Sequence, residues 1–196
     1  VLLYYRGFPM FLLGLIGLLG GYAYTGKPLG FKYIALGDLG VFLLMGPLMT
    51  LGAYFALTGE MSLDPVLISI PIGLLTVAIL HANNTRDIIH DSQAQVKTVA
   101  VLLGLSASRY YYAALVLGAL LFVLALVAWG LLSLWSLLTL FSLPLALKNI
   151  RQMLNAQMGK VEEIAMLDVH TAQHHLLFGL LLLLSLVLRH ILPWEV

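Results

Sequence analysis

Six apolar runs of about 15 to 23 residues, built mostly of Leu, Val, Ala and Gly, fill most of the chain. They fall near residues 8–24, 35–57, 66–82, 110–129, 133–147 and 174–192. Runs of this length suit a hydrocarbon core roughly 30 Å thick. None shows the period-two alternation of a barrel strand, so the fold class expected is an all-α, polytopic transmembrane helix bundle. Composition excludes a soluble domain, since 10% of residues are charged, against about 25% in soluble domains. The fifth run is short and is expected to be tilted or broken. Gly46-Pro47 and Pro71 lie inside spans and predict kinks, because neighbouring helices can satisfy the freed carbonyls. The first span is not a secretory signal, since five more follow and neither a Met nor a basic leader precedes it. The chain begins at Val1 and reads as part of a longer one.

A formal charge of +1 gives no electrostatic case for nucleic acid as a partner. The absence of cysteine removes disulfides, thiol catalysis and Cys-ligated metal. The basic residues are distributed unevenly. Lys27, Lys32, Arg86, Lys97, Arg109, Lys148, Arg151 and Lys160 fall on one side of the six spans, and Arg6 and Arg189 on the other. The richer side is expected to be cytoplasmic, in an inner or plasma membrane. Both chain ends then face outward, which a protein with a cytoplasmic amino terminus achieves with an odd number of helices upstream.

Polar residues concentrate at the end of the third span, in ILHANNTRDIIHDSQAQVKTVAVLLG, residues 79–104. On a helix Asn83, Asp87 and Asp91 stack along one stripe about 12 Å long, with Asn84 and His90 on adjacent faces. A carboxylate at membrane depth costs roughly 3 kcal/mol, so two on one stripe call for a cation or a polar cavity. Oxygen ligands of this kind suit Mg²⁺, which takes one or two carboxylates together with substrate phosphates. The stripe therefore predicts a diphosphate site, with Arg86 and Lys97 placed to contact phosphate oxygens. The competing reading is a solvated helix end whose charges pair among themselves. Glu60 and Asp64 are also four apart, but they flank Pro65 in a loop and are assigned no chemistry. His170, His174 and His175 invite a zinc reading; with no acid nearby beyond Asp168, they are read instead as interfacial histidines.

The stretch NNTRDIIHDSQAQVKTVAVLLG resembles the second aspartate-rich motif of the UbiA family of intramembrane prenyltransferases. Upstream, GYAYTGKPLGFKYIALGDLGVFLLMGPLMTLGAYF is similar to the segment before that motif in the family's MenA branch, which prenylates 1,4-dihydroxy-2-naphthoate. Together they cover residues of about 20 to 104. The resemblance implies a nine-helix bundle in which two aspartate motifs face a central cavity holding Mg²⁺ and a prenyl diphosphate. The present chain supplies six of the nine spans, as a single prenyltransferase domain over 1–196 without the first three helices or the first motif. By the same resemblance Asp87 and Asp91 are catalytic and, with Asn83, bind the metal. Substrate binding falls to Asn83, Asn84, Arg86, Lys97, Tyr24, Thr25 and Asp38, and Thr98 also matches. Tyr24 could equally belong to an interfacial aromatic belt, and Asp38 could be a helix-start residue complementing the dipole. The sequence departs from the family after Asp91, where Gln95 stands in place of a Gly, so the turn there is open to question.

What the resemblance implies is transfer of a prenyl group from an isoprenoid diphosphate to an aromatic acceptor in menaquinone biosynthesis, with Mg²⁺ as cofactor, at the cytoplasmic face. Tyr22, Tyr24 or Phe31 could shield an allylic cation. A cation-binding transporter or channel subunit is the alternative from another class, and another aromatic acceptor is the alternative within the family. A transporter predicts an internal repeat and a polar path through both leaflets. The outer halves of these spans carry almost no ionisable residue.

Overall fold

The computed structural model describes residues 1–192, and its named elements are all helical. The last four residues of the expected domain lie outside the described residues. The first crossing is α1 (Leu2–Thr25), with a non-helical Gly7 near its start. A 3₁₀ turn at Phe31–Tyr33 leads to α2 (Gly37–Leu43), a π-helical turn at Leu44–Leu48 and α3 (Met49–Thr58), which together make the second crossing. Then come α4 (Asp64–Arg86), the short α5 (Ile88–Gln93) and α6 (Val99–Ala128), which is interrupted at Gly104. The last element among the described residues is α8 (Leu167–Ile191). Among the described residues, five helical stretches are long and apolar enough to cross a membrane.

The fifth expected span, short and expected to be tilted or broken, is not a single helix. A 3₁₀ helix at Leu134–Ser142 runs into α7 (Leu143–Asn155). The two segments still carry the chain across, because their ends meet opposite ends of α8. The Trp135 indole donates to the Leu192 carbonyl at 3.4 Å, whereas Gln152 Oε1 lies 3.1 Å from His170 Nδ1. The break follows from the sequence. Ser133, Ser136, Thr139 and Ser142 recur every three residues, the repeat of a 3₁₀ helix, and all are buried. The Thr139 hydroxyl donates to the Ser136 carbonyl and the Ser142 hydroxyl to the Thr139 carbonyl, both at 2.7 Å. This polar edge faces α8, where Ser136 Oγ meets Ser185 Oγ at 3.1 Å.

Helix α4 lies at the centre, packed on α2, α6 and α8, with Leu75, Val77, Ala78 and Ala82 buried. Its crossing with the π-helical turn is a backbone contact: a Cβ on Gly46 would lie 3.2 Å from the Gly73 Cα. Pro47 sits in that turn, as expected of a residue that cannot donate to the helical ladder. At one end of the bundle Arg6 Nε donates to the Ala56 carbonyl at 2.8 Å and Arg189 Nη1 to the Leu131 carbonyl at 3.3 Å. The other end carries the 26–36, 94–98 and 156–166 connections and the candidate site.

Candidate functional site

Helix α4 ends at Asp87 (φ −94°, ψ 7°), and α5 resumes one residue later. The interruption leaves the stripe in register. The Asp87 amide donates to the Asn83 carbonyl at 3.1 Å and the Asp91 amide to the Asp87 carbonyl at 2.9 Å. The three residues therefore remain one turn apart, as their spacing requires. Asn84 is buried on a different face from half-buried Asn83, so the two asparagines do not share one environment.

Arg86 is committed to carboxylates. Its Nε donates to Asp87 Oδ1 at 3.0 Å and its Nη2 to Asp87 Oδ2 at 3.3 Å. Its Nη1 donates to Asp168 Oδ2 at 3.0 Å and to the Ala165 carbonyl at 3.1 Å. Asn83 Nδ2 donates to the same Asp168 oxygen at 3.4 Å. The guanidinium expected at the phosphate thus orients Asp87 and ties the start of α8 to the α4–α5 break. Asp168 was the component hardest to see in the sequence. It lies in the first turn of α8, ahead of the apolar run at 174–192, and no local spacing links it to Arg86.

Asp91 titrates above the ordinary carboxyl range, first because burial disfavours its charge and next because Asp87 lies nearby; Lys32 and His90 act in the opposite direction. Two carboxylates close enough to repel are a natural seat for a divalent cation. Among the described residues no group of three or more His, Asp or Glu could hold a metal. A cation here would rest on Asp87 and Asp91, with the Asn83 amide oxygen at hand and its remaining positions left to phosphate and water. That donor set fits Mg²⁺.

Lys32, which the sequence marks only as a topology signal, lies on the loop whose backbone is joined to the 94–98 connection, and its charge acts on Asp91. Ile34 and Lys97 form a parallel bridge, in which the Lys97 amide donates to the Tyr33 carbonyl at 3.3 Å and the Ala35 amide to the Lys97 carbonyl. The backbone of Lys97 makes this junction. Ala35 (φ 59°) and Gln95 (φ 57°) lie beside it in the left-handed region. Gln95 therefore keeps the turn that a Gly would adopt at less cost.

Asp38 is buried beside His81 rather than on the Asp87–Asp91 stripe, and Tyr24 is half-buried. Asp38 is 4% exposed, and its Oδ2 lies 3.4 Å from His81 Nδ1, poorly aligned for a hydrogen bond. The Tyr111 ring meets the His81 ring edge-on, with centroids 4.6 Å apart. His81 Nε2 lies 3.3 Å from the Ser108 carbonyl; a carbonyl only accepts, so that nitrogen carries the hydrogen. The Tyr24 hydroxyl lies 3.9 Å from where a Cβ on Gly37, the chain neighbour of Asp38, would stand. Thr25 ends α1 and is exposed. His81 and Tyr111 were missed in the sequence, although an ionisable residue inside a span was the available signal. The three late histidines do not converge: His174 Nε2 meets Ser142 Oγ at 3.2 Å while His170 meets Gln152.

An all-helical membrane bundle with paired carboxylates at one helix end defines the class, and comparison with known proteins defines the family. The model of the UbiA prenyltransferase family matches residues 1–171, and the chain belongs to that family. It is 38% identical over 181 residues to the UbiA prenyltransferase domain-containing protein 1 homolog of Drosophila melanogaster, covering 90% of this chain and 47% of the relative. Against UbiA prenyltransferase domain-containing protein 1 of Mus musculus the identity is 35% over 175 residues, with 88% and 48% covered. The 1,4-dihydroxy-2-naphthoate octaprenyltransferase of Bacillus subtilis (strain 168) is 34% identical over 179 residues, with 91% and 57% covered. The chain thus spans about half the length of the curated relatives it matches.

Proposed function

We propose that the protein transfers a prenyl group from an isoprenoid diphosphate to an aromatic acceptor, and that the acceptor is 1,4-dihydroxy-2-naphthoate in menaquinone biosynthesis. The observation that carries this is the pair Asp87 and Asp91, one turn apart at the end of a membrane span, with Arg86 fixing Asp87 through two hydrogen bonds. Family membership supports the reaction class. The acceptor is supported by the name of the Bacillus subtilis relative.

Asp87 and Asp91 would hold Mg²⁺, which when bound supplies positive charge to the departing diphosphate. Arg86 holds the Asp87 carboxylate in one orientation through its two-pronged contact, and Lys32 offers a mobile point charge toward phosphate. The C–O bond to the diphosphate breaks, diphosphate leaving with the electron pair; a ring carbon of the acceptor bonds to the allylic carbon and then gives up its own substituent, a proton to solvent or a carboxylate as CO₂, to restore aromaticity. The active end of the bundle is assigned to the cytoplasmic side on the distribution of Lys and Arg.

The test uses membranes containing the protein, an all-trans prenyl diphosphate, 1,4-dihydroxy-2-naphthoate and Mg²⁺. Asp87→Ala and Asp91→Ala are expected to lower product formation by about 100-fold or more while the protein still inserts. Near-normal turnover in either variant refutes the site.

A further inference from the structure

Helix α7 packs on α6, α8, the 3₁₀ helix at Leu134–Ser142 and the 156–166 connection, with Ala146, Ile150 and Met153 turned inward. Leu147, Lys148, Arg151 and Asn155 are exposed, and their spacing places them on one outward stripe. Arg109 on α6 joins the two cations. Its Nη1 donates to the Leu154 carbonyl at 3.2 Å, and Leu154 follows Arg151 by nearly one turn. Arg109 Nε is buried without a partner. Among the described residues none of Arg109, Lys148 and Arg151 takes part in an ion pair. The charges of the neighbouring connection, Lys160 and Glu163, pair with each other at 3.8 Å. Tyr110, beside Arg109 in the chain, is 69% exposed, the place of an aromatic ring at headgroup level.

Depth decides what can answer these charges. Helix α7 ends at Asn155, so Arg151 stands about 6 Å and Lys148 about 10.5 Å inside that end, and Arg109 stands about 7.5 Å past the interruption of α6 at Gly104. Cations at this depth on a lipid-facing stripe carry their heads back to the interface along apolar stems. The counter-charge that meets them there is a headgroup phosphate. A zwitterionic headgroup brings its own ammonium, whereas three cations without an acid favour a headgroup of net negative charge. We propose that Arg109, Lys148 and Arg151 form a binding site for an anionic phospholipid on the outer face of α6 and α7, at the end of the bundle that carries the candidate site. The two guanidiniums offer forked contacts to phosphate and Lys148 a point charge, with an acyl chain alongside Leu147. The site stands apart from the Asp87–Asp91 stripe, to which α6 and α7 give no residue.

The test measures binding of dioleoyl phosphatidylglycerol and dioleoyl phosphatidylcholine to the protein purified in detergent, by native mass spectrometry. Phosphatidylglycerol is expected to bind about fivefold or more tightly than phosphatidylcholine. Lys148→Gln and Arg151→Gln are each expected to lower its affinity about fivefold and to leave that for phosphatidylcholine unchanged. Lys148→Arg keeps the charge and is expected to keep the preference. Lys27→Gln removes a charge from an exposed position on the 26–36 loop, at the same end of the bundle, and is expected to change neither affinity. Equal affinity for the two lipids in the unmodified protein overturns the site. So does an unchanged preference in both Gln variants of α7, or an equal loss in Lys27→Gln. Displacement of phosphatidylglycerol by inorganic phosphate at the same concentration assigns the three cations to a soluble anion and overturns the lipid.

Discussion

At Arg86 one guanidinium joins two carboxylates, that of Asp87, its chain neighbour, and that of Asp168, 82 positions further along the chain. Lysine cannot reproduce that fork. Arg86→Lys is therefore expected to lower kcat more than it raises KM for the diphosphate, because charge is kept while the orientation of Asp87 is lost; steady-state kinetics over donor concentration checks it. Asp91 carries a pH signature. Its carboxyl is raised above 3.8, so without a cation the folded form holds a proton that the unfolded form releases. Stability from this group falls as pH rises from 3.8 through the raised value. Mg²⁺ needs the carboxylate, so its affinity is complete above the raised value and is lost as pH falls through it. Mg²⁺ titrations of turnover at stepped pH should show this dependence, and Asp91→Asn should remove it. Gln95→Gly relieves a left-handed φ and is expected to stabilise the protein by about 0.5–1 kcal/mol, read as a higher Tm in detergent. The Asn83, Asp87, Asp91 stripe was legible because helical spacing alone fixes it. The partners of Arg86 and Asp38 were not, because they arrive from helices whose packing no local pattern encodes.

Among the elements, the 3₁₀ helix at Leu134–Ser142 had a sequence signal that a search for apolar runs passes over. Ser and Thr at every third position inside a Leu-rich span place one polar edge on a three-residue turn, and that edge finds α8. The run was expected to be tilted or broken, and the hydroxyls explain why it is broken. Gly46 and Gly73 are the second such case. Kinks near Gly46-Pro47 were foreseeable from the residue types, whereas the backbone contact between the two glycines was not. Gly46→Val places side-chain atoms against the Gly73 backbone, which cannot give way. It is expected to destabilise the bundle by about 1–3 kcal/mol, measured by thermal unfolding in detergent.

For the whole molecule, continuous apolar runs with few charges were enough to establish an all-α membrane bundle, since in lipid the backbone has so few ways to satisfy itself. Which end of the bundle holds the site also follows from structure, because the loops at 26–36 and 94–98 are joined by the Ile34–Lys97 bridge. Single cysteines at Gly30, Gln95 and Gly159 are expected to react with a membrane-impermeant maleimide from one side, and one at Gly59 only from the other. Reaction of all four from the same side refutes the topology. The broken crossing has a consequence for membrane thickness. At about 2.0 Å per residue its nine-residue 3₁₀ stretch covers about 18 Å, where an α-helix of the same length covers about 13.5 Å. The crossing reaches its depth with about three residues fewer than an α-helix needs, and a bilayer thinner by about 4.5 Å would be matched by winding this one segment tighter in pitch, with the flanking loops unchanged in length.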